Sequence, residues 1–273
     1  MQWKGRRVLV TGGSGFVGTA LTERLVSLGA LVFSLCNGQF RQGRCETVAA
    51  DVRDRSRIAQ LLAAYRIEMC FHLAAQAIGS VAKQDPVSTL EVNVAGTWNM
   101  LDGCRLINIP LICASSDKYY GTAKSPYIEE TCPTVAGIYE TSKLCLDYLV
   151  RSWHFTYKVP VAITRCANIY GPGDRNFTRI VPYAVSQALR GEPSVVWGDG
   201  KACRDYVYID DVVNGYVMLA EAVLDGKFHG EAFNFGTGTA TSVLELVHLI
   251  NEAVGVDIEP ILQGKDTGEI KEQ

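Results

Sequence analysis

Short, largely apolar runs without polar alternation recur along the chain, most of them followed by a segment of helical spacing, and this alternation limits the possible folds more than anything else. The runs fall at residues 7–10, 30–35, 47–50, 69–73, 110–114 and 161–165, and helix-like segments at 15–28, 56–65, 86–106 and 139–157 lie between them. A strand that is apolar on both sides needs cover on both sides, and a helix between successive strands implies a crossover connection. The expected fold is therefore α/β, a doubly wound parallel sheet. The order loosens after Gly171-Pro172-Gly173, with a helix expected at 180–190, a strand at 194–197, a turn at 198–200, a strand at 206–209 and a helix from 210.

This pattern divides the chain into a dinucleotide-binding domain of the Rossmann type at 1–171, to which segments near 204–240 return, and a smaller C-terminal lobe, mainly 172–273, for substrate. The last residues carry no obvious closing element, so the lobe is expected to be C-terminally incomplete. At 273 residues the chain can bury a substantial core. A net charge of −3, with no basic run beyond Lys4-Gly5-Arg6-Arg7, argues against nucleic acid as a partner. No apolar run approaches the roughly 20 residues that span a bilayer, and the N-terminus does not resemble a signal peptide, so a cytoplasmic location is expected. The nine cysteines are odd in number and show no Cys-x-x-Cys spacing, which suggests reduced thiols. The four histidines form no cluster with them, and no metal site is expected.

The first strand runs into Thr11-Gly12-Gly13-Ser14-Gly15-Phe16-Val17-Gly18 and then a helix. In that setting Gly12 permits a tight turn, Gly15 lets the backbone approach a pyrophosphate, and Gly18 lets helix and strand pack closely. The helix N-terminus at Phe16 and Val17 offers N–H groups and the positive end of its dipole. Asp51 and Val52, at the end of the third strand, are placed to meet an adenine. Readers of NAD usually carry an acidic residue at the end of the second strand. Here Cys36-Asn37 stands there; Asn37 could bond a ribose, and Arg41 could meet the 2′-phosphate of NADP. The expectation is NAD, with NADP left open.

A second motif follows the strand at 110–114, namely Ser115-Ser116-Asp117-Lys118-Tyr119-Tyr120-Gly121, and Tyr139-x-x-x-Lys143 lies on a later helix. Residues four apart share a helical face, so the Lys143 cation favours the Tyr139 phenolate and makes a usable base of a group that ordinarily titrates near about 10. Ser116 could share the proton in transit, while Asp117 and Lys118 add an acid and a base. Lys118 must be neutral to accept a proton, and a neighbouring Lys143 would help to make it so. The bland alternatives are a solvated Lys118 and an Asp117 that merely caps a turn.

Taken together, Gly12-x-x-Gly15-x-x-Gly18, His72-Leu73-Ala74-Ala75-Gln76, Asn93-Val94-Ala95-Gly96-Thr97, Tyr139-x-x-x-Lys143 and Arg204-Asp205-Tyr206-Val207-Tyr208-Ile209-Asp210-Asp211 resemble the extended short-chain dehydrogenase/reductase family over nearly the whole chain. The resemblance implies an enzyme acting on a nucleotide-diphosphate sugar. Leu73, Ala74, Ala75, Gln76 and Asn93 would join the cofactor site, as would Tyr139 and Lys143, the latter at the nicotinamide ribose. Gln76, Ser116, Asn168 and Arg204 would touch substrate, with Arg179 a further candidate; a guanidinium suits a diphosphate because its fork makes paired, charge-assisted bonds. A homodimer through the helices near 90–106 and 139–157 is also implied.

Ser116-Asp117-Lys118, Ala74-Ala75-Gln76 and Arg165-Cys166-Ala167-Asn168 resemble the CDP-glucose 4,6-dehydratase branch. The stretch at 198–206 looks more like epimerases and dTDP-glucose dehydratases. The expected function is a nucleotide-sugar 4,6-dehydratase (a lyase), in which Tyr139 and Lys143 serve oxidation at C4, Lys118 takes the C5 proton and Asp117 protonates the departing C6 oxygen. A 4-epimerase, needing only Ser116, Tyr139 and Lys143, is the alternative; a non-catalytic dinucleotide-binding regulatory protein is the alternative from another class.

Overall fold

The computed structural model describes residues 2–37 and 45–265; Arg41, weighed above as a phosphate contact, lies outside them. The chain forms two compact units. The first comprises Met1–Ala123, Ile128–Cys166 and Asp210–Phe235, the second Lys124–Tyr127, Ala167–Ile209 and Gly236–Gln273.

In the first unit the order is β1 (Arg7–Thr11), α1 (Phe16–Ser27), β2 (Leu31–Cys36), β3 (Glu46–Ala49), α2 (Arg55–Ala64), β4 (Met69–His72), α3 (Gly79–Gln84) and α4 (Pro86–Leu90). A single π-helical turn (Glu91–Ala95), α5 (Gly96–Ile107), β5 (Leu111–Ser116), a 3₁₀ turn (Asp117–Tyr120), α6 (Ile138–Tyr157) and β6 (Val161–Cys166) follow. Seven strands build one parallel sheet in the order β11-β6-β5-β4-β1-β2-β3, where β11 is Ala232–Phe235. All four residues of β4 and all six of β6 are buried. Their apolar runs lack alternation for that reason: they have no solvent face.

Alternate residues of these strands serve opposite layers. Leu9, Cys70, Leu111, Cys113, Val161 and Ile163 join Ile58 and Leu62 of α2, Met100 and Leu101 of α5, and Leu146 and Val150 of α6 in one core. Full burial of one such side chain contributes about 1.5–3 kcal/mol. On the other side Phe71 of β4 meets Trp3 and Tyr216, with ring centres 6.2 and 6.3 Å apart. The single helix expected at 86–106 is instead two α-helices joined by the π turn. Apolar periodicity cannot register that extra residue in the turn, and such turns are common at functional sites.

The second unit holds β7 (Asn168–Tyr170), α7 (Ile180–Arg190), β8 (Val195–Val196), β9 (Cys203–Arg204) and β10 (Tyr206–Tyr208). After α8 (Ile209–Leu224), which belongs almost wholly to the first unit, come β12 (Thr241–Ser242), α9 (Val243–Val254) and β13 (Ile261–Leu262). Its strands make three small ladders, β7 with β10, β9 with β12 and β8 with β13. Ala184 and Ala188 of α7 pack with Val247 and Ile250 of α9 as its core. Helix α9 lies outside the elements expected from the sequence. Its signal was a capping box, since the Ser242 hydroxyl accepts from the Glu245 N–H at 3.2 Å ahead of an apolar stripe.

Candidate active site

The strand order reverses beside β1, which has β2 on one side and β4 on the other, and a crevice for ligand is expected at the carboxyl ends there. The glycine loop sits at that point. Gly12 has φ +70°, and a Cβ on it would lie 2.8 Å from the Ala74 nitrogen; a Cβ on Gly18 would lie 2.1 Å from the Gly12 oxygen. Only glycine fits either position. Gly15 is the N-cap of α1 and supplies no side-chain cap, and the first turn holds no acidic residue. The leading N–H groups at Phe16, Val17 and Gly18 therefore face outward for an anion, so these residues fit the pyrophosphate of a dinucleotide. Asn37 is exposed just past β2. Asp51 accepts from the Arg53 backbone N–H at 2.8 Å and pairs with its guanidinium at 2.7 Å. That pairing lowers the Asp51 carboxyl. Val52 is buried under α5, its side chain facing Gly96 and its carbonyl accepting from Asn99 at 3.0 Å.

Leu73, Ala74, Ala75 and Gln76 leave β4 beside that loop, held by a polar chain whose links come from distant parts of the sequence. Thr11 and His72 are register partners on β1 and β4. Their side chains meet at 2.8 Å between Oγ1 and Nδ1, and the His72 Nε2 lies 3.2 Å from the Thr97 hydroxyl. The Ala74 N–H donates to Thr11 Oγ1 at 3.1 Å. Burial, with the Lys143 charge adding to it, drives His72 down to about 3, so the imidazole is neutral. Asn93, in the π turn, accepts from the Gln76 N–H at 2.7 Å and donates to the Gln76 carbonyl at 3.0 Å and the Ser142 hydroxyl at 2.9 Å. Expected as a cofactor contact, Asn93 is 1% exposed and spends both ends of its amide on protein. It ties the loop after β4 to the start of α6, because Ser142 donates to the Tyr139 carbonyl at 2.7 Å. The Gln76 side chain turns back onto Ile78, donating to its carbonyl at 3.0 Å.

At the end of β5 the Ser116 hydroxyl donates to Asp117 Oδ1 at 2.8 Å and accepts from the Lys118 N–H at 3.2 Å, capping the 3₁₀ turn. Lys118 Nζ stands 3.9 Å from Asp117 Oδ2, with both side chains mostly buried. Acid and base are thus neighbours, and Lys118 faces a charge of opposite sign.

Tyr139 is in the first turn of α6 and half-buried; Lys143 one turn later is buried. The Lys143 ammonium lies 5.9 Å from the centre of the Tyr139 ring and donates to the Ala114 carbonyl at 2.9 Å. Burial lowers it to about 8, with Asp147 opposing the shift. It therefore loses its proton close to neutral pH, where a proton relay needs it to be poised.

Behind these groups is a residue to which the sequence reading gave no role. Arg165 in β6 is 1% exposed; its Nε and Nη2 both lie 2.8 Å from Asp147 Oδ2. An arginine inside an otherwise apolar strand was the available signal, since a buried charge requires a buried partner.

In the second unit, Asn168 donates through Nδ2 to the Asp205 carbonyl at 3.4 Å, Arg204 through Nη1 to the Cys203 carbonyl at 2.7 Å, and Arg179 pairs with Asp174 at 3.4 Å. Among the described residues no group of three or more His, Cys, Asp or Glu side chains could hold a metal. Nor does any described helix have the length and apolarity to cross a membrane.

The sequence profile of the NAD dependent epimerase/dehydratase family matches residues 8–236. The chain is 33% identical over 264 residues to UDP-glucuronic acid decarboxylase 2 of Arabidopsis thaliana, covering 92% of this chain and 58% of that protein. It thus spans little more than half the length of that relative. With dTDP-glucose 4,6-dehydratase of Neisseria gonorrhoeae it shares 29% identity over 291 residues, 92% of this chain and 78% of the other. The fold superposes on the crystal structure of UDP-glucose 4-epimerase with UDP-glucose from Thermotoga maritima with a TM-score of 0.91 at 28% identity, covering 98% and 88% of the two chains.

Proposed function

The chain belongs to the NAD dependent epimerase/dehydratase family, and we propose that within it the protein is a nucleotide-sugar 4,6-dehydratase. The carrying observation is the turn after β5, where a carboxyl group and an amine, Asp117 and Lys118, stand side by side next to Ser116. Oxidation at C4 alone has no use for that pair. NAD supplies a reversible hydride acceptor. Gly12, Gly15, Phe16, Val17 and Gly18 would hold its pyrophosphate, Asn37, Asp51 and the Val52 backbone its adenosine end, the loop from Leu73 to Gln76 its middle, and Lys143 its nicotinamide ribose. Asn93 would act by holding that loop.

Tyr139 takes the C4 hydroxyl proton as the C4 hydride leaves, with Ser116 sharing the hydrogen bond. The resulting ketone makes the C5 proton acidic. Lys118 removes it, Asp117 gives a proton to the C6 oxygen, and water departs. A proton returned to C5 and the hydride that NAD would give back at C6 complete a 6-deoxy-4-keto sugar. Gln76, Asn168, Arg204 and Arg179 are the proposed contacts to the sugar nucleotide.

The second reading, 4-epimerisation, is favoured by one observation: Asp117 already has one oxygen on Ser116 and the other facing Lys118, an arrangement that a purely structural turn would also show. Turnover of a panel of nucleotide hexoses in deuterated water decides between them. Dehydration places deuterium at C5 and gives the 6-deoxy-4-keto product, and Asp117→Asn lowers that product at least about 100-fold. Recovery of a C4 epimer without deuterium, unaffected by Asp117→Asn, would overturn the dehydratase reading.

A homodimer belongs to the same proposal. Trp98 and Leu106 on α5, with Tyr148 and Phe155 on α6, are 44%, 58%, 58% and 80% exposed, more apolar surface than two solvated helices need. A cytoplasmic location rests on the nine free cysteines, which suit a reducing compartment; cell fractionation checks it.

A further inference from the structure

Arg165 holds together the parts that the proposed chemistry needs in register. Its Nε and Nη2 lie on Asp147 of α6, one turn beyond Lys143. From Nη1 it donates to the Tyr120 hydroxyl at 2.9 Å and to the Glu129 carbonyl at 3.0 Å. The guanidinium carbon sits 3.6 Å from the centre of the Tyr119 ring. Tyr119 and Tyr120 are the last two residues of the 3₁₀ turn that begins with Asp117 and Lys118. Nε and Nη1 are hydrogen-bonded and Nη2 adds an ion-pair contact to Asp147 without a hydrogen bond of its own, and the contacts to Tyr119 and Tyr120 fall on the far half of a four-residue turn whose near half carries the acid and the base. The Tyr120 hydroxyl passes the link on, donating to Asn234 Oδ1 at 2.7 Å, while the Asn234 N–H donates to the Glu129 carboxylate at 2.8 Å. Arg165 and Asp147 are essentially without solvent contact, so this clamp is not diluted by water.

We propose that Arg165, with Asp147 as its counter-ion, is a positioning residue that fixes the Asp117–Tyr120 turn so that Asp117 and Lys118 meet C5 and C6 of the substrate. The inference rests on the dehydratase reading. It separates the two halves of the reaction, since oxidation at C4 depends on Tyr139 and Lys143, whose helix is also pinned to β5 by the Lys143 bond to Ala114. Elimination depends on the turn. A displacement of about 1 Å in a catalytic group costs up to about 100-fold in rate.

The test mixes NAD-loaded enzyme with the nucleotide hexose that wild type dehydrates, following absorbance at 340 nm for reduced nicotinamide and a quench assay for the 6-deoxy-4-keto product. Arg165→Met leaves Asp147 buried without its partner, so Arg165→Lys, which keeps a counter-ion for Asp147 and loses the fork that reaches Tyr120, is run alongside, as is Tyr120→Phe, which removes one hydroxyl and keeps the ring. The expected result is elimination slowed about 100-fold in the Arg165 variants and about 10-fold in Tyr120→Phe, with C4 oxidation changed less than about 5-fold, so that reduced nicotinamide accumulates. Loss of fold lowers both steps by one common factor and accumulates nothing; that outcome in all three variants, or undiminished elimination, overturns the inference. A wild type that yields a C4 epimer alone overturns the dehydratase reading itself, and this inference with it, before any variant is compared.

Discussion

Replacing Lys143 by Met should make the cofactor-free protein more stable at neutral pH while abolishing C4 oxidation. Burial brings the ammonium from its ordinary 10.5 down to about 8. At pH 7 both the folded and unfolded chains carry the proton, and the folded state bears the whole cost of a buried cation. A shift of about 2.5 units at about 1.36 kcal/mol each makes that cost roughly 3 kcal/mol. Between pH 8 and 10.5 the unfolded chain still binds the proton and the folded chain has released it, so wild-type stability rises with pH and the penalty fades to about 1.4 kcal/mol at pH 9.5. Met keeps the volume and removes the charge; it also gives up the bond to the Ala114 carbonyl, which is worth about 1 kcal/mol. The net expectation is a variant about 2 kcal/mol more stable than wild type at pH 7 and about equal to it at pH 9.5. Urea unfolding of both proteins across that range reads the difference directly. A variant less stable than wild type at pH 7, or a gap that stays constant between pH 7 and 9.5, would refute the reasoning.

His72 titrates in the opposite sense for stability. Its folded value of about 3 lies below the ordinary 6.5, so the unfolded chain takes up a proton first and stability falls as pH drops below about 6.5. Imidazole proton resonances of His72 should stay at their neutral positions from pH 8 to about 4, and a titration midpoint between 5 and 7 contradicts the buried bridge to Thr11 and Thr97. The dimer proposal predicts that Phe155→Glu together with Tyr148→Glu lowers the mass measured by sedimentation equilibrium from two chains to one. A wild-type protein that sediments as a single chain removes the basis for it.

The parallel sheet was legible because buried strands such as Met69–His72 and Val161–Cys166 read as largely apolar runs without alternation. The strand at Ala232–Phe235 was less so: three of its four residues are only half-buried, and Asn234 interrupts the run. Glycine positions were legible for a similar reason, since a forbidden Cβ leaves a mark in composition. What stayed hidden are relations that need strand order, such as the Thr11 to His72 register, and relations that cross 45 residues, such as Arg165 to Tyr120. Thr11, His72 and Tyr120 are unremarkable alone, and Arg165, though it stands out as a charge in a buried strand, does not name its partners. The roles of Asn93 and Arg165 follow from which partners the topology delivers to them.

That distinction bears on the pair from which the dehydratase reading starts. Elimination moves two protons in opposite directions, one from C5 to Lys118 and one from Asp117 to the C6 oxygen. As an ion pair, Asp117 has no proton to give and Lys118 no room to accept one. Shifting a single proton from Lys118 to Asp117 makes both competent and leaves their summed charge unchanged. For an amine and a carboxyl group in water that shift is uphill by about 6.5 pKa units, roughly 9 kcal/mol. Exclusion of water lowers that cost, because two neutral groups lose less on desolvation than two ions. Lys118 and Asp117 are already only 22% and 14% exposed before any sugar covers them. On the proposed mechanism the sugar nucleotide therefore does more than present C5 and C6: by covering the Asp117–Lys118 pair it lowers the cost of the proton transfer that elimination requires, and the buried Arg165 keeps the turn in place while it does so.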